Sequence, residues 1–130
     1  MRNTYKLLLS ILFTGLIPMA SVAQTVQLVK DVQPGPGSGG CAQLILVGNQ
    51  LFFEADDGTT GFELWKSDGT ESGTMLVKDI RPGFSSPFLS ELTELNGNLF
   101  FKANDAINGT EIWVSDGTET GTDILYYCLS

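Results

Sequence analysis

Beyond the first two dozen residues, apolar and polar positions alternate in short runs, and turn-forming residues interrupt each run. Gln43–Val47 and Leu51–Asp56 flank Gly48-Asn49, which predicts a hairpin. The next run, Glu63-Leu64-Trp65-Lys66-Ser67, carries a large aromatic and no helical period, so it reads as a strand. Ser67-Asp68-Gly69-Thr70 stops it: the aspartate accepts from amides two and three residues on, and the glycine supplies positive φ. Gly73 bends the chain again before a strand over Thr74–Ile80. The order then recurs, with Glu91–Leu95, an Asn96-Gly97 turn, Leu99–Asn104, Thr110–Ser115, an Asp116 turn and Thr122–Tyr127. Nothing in this region has the period of a helix, so the expected class is all-β.

The recurrence is literal. Glu63–Thr74 (ELWKSDGTESGT) returns 48 residues later as Glu111–Thr122 (EIWVSDGTETGT), identical at nine of twelve positions. Leu28–Gly35 (LVKDVQPG) anticipates Leu76–Gly83 (LVKDIRPG) at the same offset of 48. A fixed offset marks a repeat architecture, and four short strands per unit is the size of a propeller blade. The expected fold is a propeller-like array of two four-stranded antiparallel repeats of 48 residues, one over 43–83 and one over 91–127, after a leading strand at 24–32. A β-sandwich is the alternative, but its strands would not return at one offset with the same turn residues. Closing a ring takes about four to eight blades, so two repeats make an incomplete one. After Leu125 the repeat text gives way to Tyr126-Tyr127-Cys128-Leu129-Ser130. That departure suggests a fragment of a longer array, a frameshifted gene end, or a short protein that assembles with copies of itself.

The opening segment is of another kind. Arg2 and Lys6 precede an apolar run, Leu7–Ile17, too short to span a bilayer, and Ser21-Val22-Ala23 is a small-residue cleavage site. Residues 1–23 are therefore expected to be a signal peptide cut near Ala23, and the product secreted or held at the cell surface without membrane insertion. The net charge is −8 over the whole chain and −10 without Arg2 and Lys6, which argues against nucleic acid and anionic membranes. There is no histidine, which excludes histidine-based triads and histidine-ligated zinc or haem.

The repeat motif resembles the ELWxxDGT repeat family of exported, Bacteroidetes-type bacterial proteins. Glu63-Leu64-Trp65-Lys66-Ser67-Asp68-Gly69-Thr70 matches it once, and Glu111-Ile112-Trp113-Val114-Ser115-Asp116-Gly117-Thr118 matches it again. The Leu-Phe-Phe strands and the Leu-Val-Lys-Asp segments extend the likeness over most of Gln27–Leu125. The resemblance implies an exported β-repeat protein, with no catalytic residues to carry over.

Candidate chemistry is sparse. Asp56, Asp57, Asp68, Asp105 and Asp116 offer hard oxygen ligands that would suit calcium, although neither an EF-hand loop nor a nonapeptide calcium repeat is present. The competing role for such an aspartate is to staple its own hairpin. Trp65 and Trp113 recur at equivalent positions and would suit a sugar site in a lectin-like module, or the packing between blades. Paired acids would suit glycoside hydrolysis, but here they repeat at equivalent turns, with no unique acid to create an asymmetric site. Cys41 and Cys128 could pair after export, closing a long loop. No cofactor is expected apart from possible calcium. The expected function is an exported, non-catalytic binding or structural module, with a carbohydrate-binding module as alternative and a hydrolase behind both. Its partner is an extracellular protein or glycan, or a second copy in a homo-oligomer, reached through the loops Gly35–Gly40 and Gly83–Pro87.

Overall fold

The structure, a computed structural model, describes residues 27–126. The expected signal peptide lies outside them. Eight strands run in chain order: β1 (Cys41–Val47), β2 (Gln50–Asp56), β3 (Phe62–Ser67), β4 (Met75–Lys78), β5 (Ser90–Leu95), β6 (Asn98–Asn104), β7 (Thr110–Ser115) and β8 (Thr122–Ile124). They form two four-stranded antiparallel sheets, β1-β2-β3-β4 and β5-β6-β7-β8, each a simple meander. The fold is all-β, and the two sheets make an open, propeller-like pair rather than a closed ring. Of the expected leading strand at 24–32, residues 27–32 form only a single bridge, at Leu28.

The two units repeat in register as well as in sequence. Phe53 pairs with Trp65 across β2 and β3, and Phe101 pairs with Trp113 across β6 and β7. Each first strand is interrupted at the same place, between Ala42 and Ile45 in one unit and between Ser90 and Thr93 in the other. The extra residue takes positive φ both times, 53° at Gln43 and 55° at Glu91. A bulge of this kind bends and twists the strand, which sets the curvature of each sheet. Asn96 and Gly97 both have positive φ, as a type I′ hairpin turn requires.

Side chains alternate across each sheet, so β2 and β3 present two different faces. One carries Phe52 and Leu64, which join Val47, Val77 and Ile80 against Leu99, Phe101, Ala103, Trp113 and Ile124 of the second sheet. This shared cluster is the main core, and it holds the sheets together. The other face of the first sheet carries Phe53, Ala55 and Trp65, covered in part by Val32 of the leading segment. Each large apolar side chain sealed in this way contributes roughly 1.5–3 kcal/mol of burial. In the second sheet only one face is sealed: Leu99, Phe101 and Ala103 are buried, while Phe100, Ile112 and Val114 stay half-exposed. Their face corresponds to the Phe52 and Leu64 face of the first sheet, which is 2% and 0% exposed at those residues.

Candidate functional site

The repeated hairpin is a closed hydrogen-bond relay. The Thr74 hydroxyl donates to the Thr70 carbonyl at 2.7 Å, so it must accept from Ser67 Oγ, 2.6 Å away. Ser67 Oγ in turn accepts from the Gly69 amide at 3.0 Å. Asp68 Oδ1 accepts from the amide and the hydroxyl of Thr70 at 2.9 and 2.7 Å, and Thr70 Oγ1 accepts from the Gly73 amide at 2.9 Å. Gly73 is required because a methyl group there would run into the Asp68 carboxylate. Ser115, Asp116, Thr118, Gly121 and Thr122 repeat the arrangement. The motif thus spends its side chains on its own backbone, which explains the co-occurrence of serine, aspartate, two threonines and a late glycine.

The other aspartates behave alike. Asp56 accepts from the Gly58 amide, Asp57 from Thr59 and Thr60, and Asp105 from the amides of Ile107 and Asn108. Hydrogen bonds from the side chain and then the amide of Thr70 hold the Asp68 carboxyl below its ordinary range, and Thr118 does the same for Asp116. Asp105 is lowered chiefly by the Asn108 amide. At Asp57 slight burial works upward, but the hydrogen bonds from Thr60 and Thr59 prevail and the carboxyl is lowered. Among the described residues, no group of three or more acidic, cysteine or histidine side chains is placed to hold a metal ion. The five aspartates are spread over four turns, Asp56 and Asp57 sharing one, and do not converge.

Trp65 and Trp113 are core residues, 6% and 4% exposed. Trp113 stacks on Phe101 with ring centroids 6.4 Å apart, and Lys78 Nζ lies 5.9 Å from its centroid. Neither ring offers an open face on which a sugar could stack. Cys41 is exposed at the start of β1, and burial of the thiol itself pushes its pKa up. Cys128 lies outside the described residues, as does any pairing between the two.

Two elements escaped the sequence reading. One is the lysine of the Leu-Val-Lys-Asp segment. Lys30 Nζ donates to the Thr74 carbonyl at 2.7 Å, and Lys78 Nζ donates to the Thr122 carbonyl at 2.7 Å. Each lysine leaves its own segment and grips the closing threonine of the next unit's hairpin. The signal was a cation kept at one repeat position inside an apolar strand. The second is Glu63, fully buried, whose carboxyl accepts from the amides of Ile80 and Arg81 at 2.8 and 3.1 Å. It therefore fastens the start of the chain that links the two sheets. Glu54, by contrast, is only half-buried, and burial raises its carboxyl against one amide bond from Leu89.

The loop over Gly83–Pro87 brings apolar side chains to the surface. Phe84 is 85% exposed, and Phe88, just beyond, is also exposed and takes φ 56° where the first unit has Gly40. The Arg81 guanidinium lies 5.9 Å from the Phe88 ring centroid. Set against known proteins, the chain matches no protein-family model, no curated protein and no solved structure.

Proposed function

We propose that this chain is an exported, non-catalytic β-repeat protein of the ELWxxDGT kind, acting outside the cell as a binding or structural module. The signal-like segment at residues 1–23 supports export. The observation that carries the binding role is the half-open face of the second sheet, formed by Phe100, Ile112 and Val114. The same face of the first sheet is sealed by a sheet of identical design, so its chemistry suits another such sheet. On the first unit the opposite face is already buried at Phe53, Ala55 and Trp65, in part under Val32, so self-association uses the more open second-sheet face twice, in a two-fold arrangement. The partner is thus a second copy of the chain. The consumption of the turn aspartates by their own loops favours a scaffold over a calcium-dependent or hydrolytic role.

Light scattering on purified residues 24–130 tests this. A dimer is expected, with Ile112→Asp giving a monomer of unchanged circular dichroism. A wild-type protein that stays monomeric at high micromolar concentration refutes the proposed pairing.

A further inference from the structure

Glu63 lies in β3, opposite Ala55 of β2, with no exposed surface. Both of its carboxyl oxygens already accept backbone amides, from Ile80 and Arg81. Asp79 follows directly on β4, one step past the antiparallel Leu64–Lys78 pair, which sets it across from Glu63, and its buried Oδ1 has no hydrogen-bond partner. Two carboxylates side by side in a buried setting repel unless one keeps its proton. A protonated Glu63 resolves both problems: it still accepts the two amides, and its O–H faces an acceptor that otherwise has none.

We propose that Glu63 and Asp79 share a single proton, and that this proton latches the inter-sheet connection onto the first sheet. The charged groups around it leave Asp79 as its partner. On the leading segment, Lys30 is committed to the Thr74 carbonyl. On β4, Lys78 reaches away to Thr122, and the Arg81 guanidinium lies over Phe88. On β2, the residue opposite is Ala55. Burial, opposed by the two amide bonds and reinforced by Asp79, raises the Glu63 carboxyl to about 8. The latch is specific to the first unit: Glu111 is only half-buried, and the residue matching Asp79 is Tyr127.

The folded side chain keeps a proton that the unfolded one, titrating near 4.5, has released. Folding therefore weakens as pH rises from about 4.5 to about 8 and weakens no further above it. With no histidine in the chain, little else titrates in the upper half of that window. The test is a carboxyl-carbon NMR titration of the full secreted chain and of Asp79→Asn, with urea unfolding of wild type and Glu63→Gln from pH 5 to 9. Glu63 should titrate near pH 8 in the wild type and roughly 1 unit lower in Asp79→Asn, once the like charge is gone. The wild-type folding constant should fall relative to Glu63→Gln by up to about tenfold per pH unit within the window, then run parallel. A Glu63 carbon that titrates in the ordinary glutamate range overturns the proposal. An unmoved midpoint in Asp79→Asn does the same, even if Glu63→Gln fails to fold.

Discussion

Replacing Lys78 by methionine removes the charge that joins the sheets while leaving most of the side-chain stem in place. In the wild type Nζ donates to the Thr122 carbonyl at 2.7 Å and lies 5.9 Å from the Trp113 ring centroid. A hydrogen bond to a charged group is worth about 1.5–3 kcal/mol, and the lower end applies here because the side chain is only half-buried. The cation over the indole adds about 0.5–1 kcal/mol. Lys78→Met should therefore cost about 2 kcal/mol, or roughly a 10 °C drop in Tm for a domain of this size. Lys30→Met is the internal control. It loses the equivalent bond to the Thr74 carbonyl, and should cost about 1.5 kcal/mol. Urea unfolding followed by circular dichroism gives both numbers, and tryptophan fluorescence reports whether the Trp113 environment loosens first. Were Lys78→Met to cost less than about 0.5 kcal/mol, the lysine grip would be incidental to the pairing of the sheets. A larger loss from Lys30→Met than from Lys78→Met would refute the added role of the indole.

Other outcomes follow from the same geometry. Phe101→Ala, in the core shared by both sheets, should cost about 3–5 kcal/mol and lower the urea midpoint accordingly. Thr122→Val leaves the buried Ser115 hydroxyl without its acceptor and should destabilise by about 1–3 kcal/mol, whereas Thr120→Val, on the exposed turn, should fall within about 0.5 kcal/mol of wild type in the same assay. Asp57, Asp68, Asp105 and Asp116 are lowered from 3.8 in the folded chain, so their contribution is complete above that pH and is lost as pH falls through their folded values. Acid unfolding at low salt should accordingly set in below about pH 4, later in a variant with Asp68 and Asp116 both changed to asparagine, which no longer have carboxylates to protonate. Millimolar calcium should move the wild-type Tm by less than about 1 °C, since the turn aspartates do not converge on a shared position.

Much of the architecture was legible in the chain because it is local. Alternation fixes strands, Asn96-Gly97 fixes a tight turn, and Ser67-Asp68-Gly69-Thr70 closes a hairpin through contacts no more than seven residues apart. Repetition at 48 residues then multiplies any correct local reading by two. Strand ends were less legible. The run over Thr74–Ile80 stops at Lys78 in the sheet, because Ile80 and Arg81 give their amides to Glu63 instead of to a neighbouring strand. In the sequence the turn aspartates suit either a ligand or a staple; the hydrogen bonds that each accepts from its own loop are visible only in the fold.

What the sequence determined by itself was the all-β class, the two units and the turn chemistry, since each depends on residues close together along the chain. Tertiary structure decided the rest. Phe52 and Phe100 occupy equivalent positions in near-identical strands, yet one is sealed and the other half-open, because only the first sheet has a second sheet against that face. Glu63, on the other face, is buried where the chain linking the sheets gives it the Ile80 and Arg81 amides, while Glu111 stays half-exposed. Burial, and the pKa and packing that follow from it, depend on what lies across the interface, and a repeat carries no record of its neighbour.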